Sequence, residues 1–134
     1  GQSFFDIAQK DDDPNRTIFS EYHAAGGVSA AYMLRQGRYK YIHYTGFAPE
    51  LFDLDNDPEE IHDLASQVAY AKVLQNFREQ LQLICDPVLT DLAAKKDQLE
   101  LIEKHGGKEK ILKRGGSSYT PIPGEEVNLL GGPA

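Results

Sequence analysis

The sequence predicts an α+β fold: a small antiparallel β-sheet of three to four strands, packed by C-terminal helices and followed by an extended C-terminal arm. Three observations predict it. Tyr32–Tyr44 reads as two strands rich in aromatic and branched residues with only Gln36-Gly37 between them, a hairpin in which Gly37 supplies the positive φ of the second central position. Glu50–Leu54 forms a third strand across the loop Thr45-Gly46-Phe47-Ala48-Pro49. Residues 67–85 repeat apolar side chains at Val68, Ala71, Leu74, Phe77, Leu81 and Ile84, the period of an amphipathic helix laid on that sheet.

Taken in order, Ser3–Ala8 is a short apolar piece of one or two helical turns, broken by Asp11-Asp12-Asp13-Pro14-Asn15, a solvated turn. Thr17–Tyr22 has strand composition and ends before Gly26-Gly27. In the hairpin, Tyr39, Tyr41 and His43 share one face and Arg38, Lys40, Ile42 and Tyr44 the other, because strand side chains alternate. Asp57, Pro58 and Glu60 have the spacing of a helix start, with Asp57 as cap. Asp86-Pro87 ends the amphipathic helix and caps the next, whose stripe is Leu89, Leu92, Leu99 and Ile102. His105-Gly106-Gly107 stops that helix, and Lys108–Arg114 makes a last short one. The organisation expected is a subdomain over residues 1–116 and an arm over residues 117–134, rich in Gly and Pro. The two helical stripes exceed what one small sheet face covers, so an exposed apolar patch or self-association is expected.

Composition excludes several functions. The chain has 134 residues and a formal charge of -7, and phosphate contacts need clustered Lys and Arg, so nucleic acid is not an expected partner. No apolar run approaches the roughly 20 residues of a bilayer span, so no membrane partner is expected. Cys85 is the sole cysteine. It allows no intrachain disulfide or Cys-based zinc site and fits a cytoplasmic location. The opening Gly1-Gln2-Ser3 reads as a cut inside a longer polypeptide or a processed end.

No complete catalytic set is present, and neither catalytic nor metal-binding residues are expected. Asp53, Asp55 and Asp57 imitate the opening of a calcium loop, but Pro58 stands where Gly belongs and Leu64 where a bidentate Glu belongs. His43, His62 and His105 show no ligand spacing. Glu21 and His23 do share one side of a strand and can together reach a substrate, while Ser20 points the other way. These two are the candidate substrate-binding residues.

Arg38-Tyr39-Lys40-Tyr41-Ile42, then Glu50-Leu51-Phe52-Asp53-Leu54-Asp55-Asn56-Asp57-Pro58-Glu59-Glu60 and Asp63-Leu64-Ala65, closely resemble the C-terminal part of type I sulfatases. Ser20-Glu21-Tyr22-His23-Ala24 and the tail Tyr119–Gly124 lean toward the choline-sulfatase-like branch of the sulfatase/alkaline phosphatase superfamily. The resemblance implies a subdomain that closes one side of a substrate cleft, supplies subunit contacts in a homo-oligomer, and partners an N-terminal catalytic domain. It also implies, for the full-length enzyme, sulfate-ester hydrolysis with a divalent metal, calcium, and a formylglycine. None of that machinery matches a position here, so the isolated chain is expected to be inactive and free of cofactors. Cys85-Asp86-Pro87-Val88-Leu89 imitates the Cys-x-Pro-x-Arg maturation signal but has Leu89 in place of Arg. In the branch, Glu21 and then His23 would face a cationic head group, and Glu125 or Glu126 would reach a neighbouring subunit. Two alternatives stand beside this: the equivalent region of a phosphonate monoester or phosphodiester hydrolase, and a free-standing interaction module.

Overall fold

The computed structural model describes residues 3–23 and 28–114. Helix α1 (Phe4–Ala8) precedes four strands, β1 (Thr17–Tyr22), β2 (Ala31–Gln36), β3 (Tyr39–Tyr44) and β4 (Glu50–Asp53). A 3₁₀ turn at Val68–Tyr70 leads into α2 (Ala71–Ile84), followed by α3 (Pro87–Lys104) and α4 (Lys108–Arg114). The strands pair antiparallel in the order β1-β2-β3-β4, so the expected α+β architecture is observed with four strands. Two compact units, Gly1–Asp91 and Leu92–Ala134, divide the chain. The sheet and α2 belong to the first. The proposed arm, with Glu125 and Glu126, lies outside the described residues.

Register aligns one apolar face. Leu34 sits between Phe19 and Tyr41, and Tyr41 opposes Leu51. Tyr32, Leu34, Tyr41 and Leu51 are fully buried, and Leu74, Phe77 and Leu81 of α2 cover them. Phe77 stacks on Tyr41 with ring centroids 5.7 Å apart. Each large side chain so enclosed contributes about 1.5–3 kcal/mol relative to exposure. A polar rim closes the hairpin end, where Gln80 accepts from Thr17 Oγ1 at 3.1 Å and donates to Gln36 at 3.0 Å. The stripe of α2 is shorter than its periodicity implies, since Val68, Ala71 and Ile84 are exposed.

The hairpin turn is one residue later than expected. Gln36 pairs with Tyr39, leaving Gly37-Arg38 as the loop, and Gly37 has φ 54. Positive φ at the first central residue alone is the φ signature of a type II′ turn, whose twist matches that of the strands. The shift also frees Arg38 to clamp Asp53, which is buried and accepts from both Nε and Nη2.

No helix starts at Asp57. Its carboxylate accepts the Ile61 and His62 N–H groups at 3.1 and 2.7 Å within an irregular loop. Glu60 adopts a left-handed φ of 56, which breaks the helical path, and its side chain receives Lys40 Nζ at 2.6 Å. The loop then runs along β4: Leu51 donates to Asp63 Oδ1 at 3.0 Å, and Leu64 donates to Leu51 O at 2.8 Å. This covers the edge of the sheet that would otherwise be open for pairing.

Asp86-Pro87 acts as expected. Pro87 disfavours helical backbone at Asp86, Cys85 is extended, and Asp86 Oδ1 caps the N–H groups of Val88 and Leu89 at 3.0 and 3.1 Å. The stripe Leu89, Leu92 and Leu99 is exposed, and α3 instead buries Pro87 and Asp91. An exposed apolar patch was the expectation, and α3 carries one.

Depressed pKa values give this fold an acid limit. Arg38 holds the Asp53 carboxyl below the ordinary 3.8, helped by Asn56 and the Asp55 amide. The His62 and Ile61 amides do the same for Asp57, and burial followed by Arg78 lowers His43 below 6.5. In each case the unfolded chain takes up its proton first as pH falls. The urea midpoint is therefore expected to be highest above pH 6.5. It should fall once as pH drops through the lowered His43 value and again as it drops through the carboxylate values below 3.8. A His43→Gln variant removes the first step, and a profile identical in both proteins rules His43 out of the acid response.

Candidate functional site

The described residues bring Glu21 and His23 together at the far end of β1 from the hairpin turn. The β1 alternation puts Glu21 on the face of Phe19 and Tyr32, and His23 follows just past the strand end. His23 Nε2 lies 3.2 Å from Glu21 Oε2, with side chains 22% and 47% exposed. The carboxylate is thus held on one side and open to a ligand on the other. His23 stands edge-on to the Tyr32 ring at 5.5 Å, and His43 flanks the same ring at 6.1 Å.

Beneath them, Tyr32 is buried and its hydroxyl donates to Pro87 O at 3.0 Å. Burial, then the charges of Cys85, Asp91 and Glu21, pushes its pKa up to about 12. Asp91 Oδ1 accepts the Ala30 N–H at 2.8 Å, fixing the chain just before β2. The first turns of α3 therefore brace the sheet end that carries Glu21 and His23. Sequence reasoning missed Asp91 and Pro87 in this role. The available signal was their i, i+4 spacing, which places both on one helix face.

The group can present a carboxylate and an imidazole to a ligand, but it holds no nucleophile. Cys85 is half-buried, and burial followed by the charge of Glu21 raises its thiol pKa, which keeps it protonated. Among the described residues no three His, Cys, Asp or Glu side chains converge on a metal. Asp53, Asp57 and Asp63 are instead occupied with Arg38 and backbone amides. His62, 75% exposed, lies 3.6 Å from Asp57, and His43 lies 3.3 Å from the Tyr41 hydroxyl. Among the described residues no helix is long and apolar enough to cross a membrane.

The described residues thus form a four-stranded antiparallel meander with a helix on one face and a half-open carboxylate at its end. The chain belongs to the family described as "N-sulphoglucosamine sulphohydrolase, C-terminal", which matches residues 1–86. Over 70 residues it is 43% identical to mouse arylsulfatase K and 36% identical to the human protein, half of this chain in each case. It covers only 12% of the mouse protein and 13% of the human one. Among solved structures, a 2-O GAG sulfatase is 36% identical with TM-score 0.48, covering 55% of this chain and 16% of that one. The phosphonate monoester hydrolase of Agrobacterium radiobacter is 29% identical with TM-score 0.45, covering 49% and 16%. The sulfatase family implies an N-terminal catalytic domain, a metal and a formylglycine for the full-length enzyme. The described residues do not fit the last two: no metal cluster is present, and Cys85 lies at a helix junction with Leu89 in place of the maturation Arg.

Proposed function

We propose that this chain is the C-terminal subdomain of a sulfuric ester hydrolase, and that it holds the non-reacting end of the substrate while the catalytic domain breaks the ester bond. The observation that carries the reading is the half-exposed Glu21 carboxylate, fixed by His23 above the Tyr32 ring, in a chain whose family is the sulfatase C-terminal region. A half-exposed carboxylate favours a cationic head group once water is excluded. Choline sulfate or a similar cationic ester is accordingly the proposed substrate. Homo-oligomer contacts, with Glu125 or Glu126 reaching a neighbouring site, belong to the same proposal, as does a cytoplasmic location.

In the full-length enzyme, Glu21→Gln is expected to raise KM for choline sulfate about tenfold, roughly 1.4 kcal/mol of lost binding. KM for a neutral aryl sulfate should stay within about twofold. Equal effects on both esters would remove Glu21 from head-group recognition. Hydrolysis of phosphonate monoesters without sulfate esters would favour the phosphonate hydrolase reading instead.

A further inference from the structure

The two edges of the sheet are finished differently. Gln36 and Tyr39 flank a two-residue turn, so their amides and carbonyls face each other. Every second pair along the hairpin repeats this, down to Thr45 N–H donating to Ala30 O at 3.0 Å. Successive residues of a strand turn their backbone groups to opposite sides. Arg35, Met33 and Ala31 therefore turn theirs to β1, where they meet Ile18, Ser20 and Tyr22. Thr17, Phe19 and Glu21 are left facing outward.

At the opposite edge, Leu54 N–H donates to Arg38 O at 2.8 Å, which sets Phe52 and Glu50 toward β3 and leaves Leu51 and Asp53 facing outward. Both are provided for. Leu51 donates to Asp63 and accepts from Leu64, while Asp53 O accepts the Asn56 and Asp57 N–H groups at 3.1 and 2.8 Å. On β1, by contrast, the outward amides and carbonyls of Thr17, Phe19 and Glu21 have no hydrogen-bond partner among the described residues. Strand edges that stay single are blunted by lysine, proline, a bulge or a covering loop. Thr17–Tyr22 contains neither lysine nor proline and pairs with β2 in unbroken register.

The strand is also complementary to itself. A two-fold axis through Phe19, perpendicular to the sheet, gives the antiparallel register that uses all the outward residues: Thr17 meets Glu21 of the second copy, Phe19 meets Phe19, and Glu21 meets Thr17. Glu21, the one charged residue of β1, then faces a threonine, whereas an axis at Glu21 would oppose two carboxylates at a cost in stability. Phe19, packed on the edge of the core, gains an aromatic neighbour across the axis, a favourable cross-strand pair. A contact of this kind uses the same patch on both partners and closes at two copies.

We infer that β1 is a dimer interface, pairing antiparallel with β1 of a second copy about Phe19 and joining the two sheets into one. The contact is separate from head-group recognition and stands whether or not the substrate is a sulfate ester.

Sedimentation velocity on the 134-residue chain and on the full-length enzyme should show a monomer–dimer equilibrium. Salt of about 0.15 M screens the repulsion between copies that each carry a charge of -7. Either protein remaining monomeric at every concentration would overturn the inference. Amide exchange in the chain identifies the surface. As the dimer fills, the Phe19 and Glu21 amides should slow by about tenfold or more, while the Ser20 amide, already turned to β2, changes much less. A dimer that leaves Phe19 and Glu21 unprotected uses another surface, and full protection in the monomer means that the chain covers its own edge; either result overturns the pairing. The register is tested by Thr17→Lys and Thr17→Glu. Both lose the bond to Gln80, but the first sets an ammonium opposite each Glu21 of the dimer and the second a carboxylate. The dimer Kd should fall for Thr17→Lys and rise for Thr17→Glu, leaving the two about tenfold or more apart. Equal values, or the opposite order, would overturn pairing about Phe19.

Discussion

Replacing Phe77 with alanine is expected to lower the unfolding free energy by about 3–5 kcal/mol. Phe77 is buried at 3% exposure, stacks on Tyr41 and is the central contact of α2 with the sheet. Its removal opens a cavity between two rigid elements that cannot collapse onto each other. Domains of this size are stable by about 5–15 kcal/mol, so the loss is a large share of the whole. Urea unfolding followed by circular dichroism and by tyrosine fluorescence measures it, since the chain has 7 Tyr and no Trp. Leu83, 88% exposed on the same helix, is the control, and Leu83→Ala should change stability by less than about 0.5 kcal/mol. A Phe77→Ala loss near that of the control would mean that α2 does not seal the sheet.

The next largest effect is expected at Asp91. Its carboxylate is buried and accepts the Ala30 N–H. Asp91→Leu removes the acceptor and leaves a buried donor unsatisfied, at a cost of about 2 kcal/mol. Asp91→Asn retains an acceptor oxygen and should recover most of that loss. Amide exchange separates this from a general loosening: the Ala30 amide should exchange at least tenfold faster in Asp91→Leu, with the Tyr41 amide much less affected. If the leucine variant leaves Ala30 protection intact, α3 does not brace this end of the sheet.

Much of this was legible from local pattern. The strand from Thr17 to Tyr22, the hairpin, Glu50–Asp53 and the helix junction at Asp86-Pro87 announce themselves through alternation, turn residues and capping chemistry. The same rules misread Asp57, because cap residues in sequence do not reveal that Glu60 will turn left-handed to meet Lys40 across the sheet. That is a tertiary contact overriding a local preference. They also overstated α3, whose leucines have helical spacing while a proline and an aspartate make the contacts. Periodicity identifies a face but not what lies opposite it. Glu21 and His23 were visible as neighbours on one strand side. The bracing from Tyr32, Pro87 and Asp91 was not, because it joins residues more than fifty positions apart.

The strand order β1-β2-β3-β4 repeats the order of the chain. Each strand therefore pairs only with its neighbours in sequence, and no pairing waits for a distant segment to arrive. Folding rates rise as contacting residues come closer along the chain. This sheet should consequently assemble faster than β-proteins built from crossed or distant pairings, with the return of α2 onto the finished sheet as its slower, longer loop closure. Such local assembly shortens the interval in which unpaired strand edges stand open to aggregation.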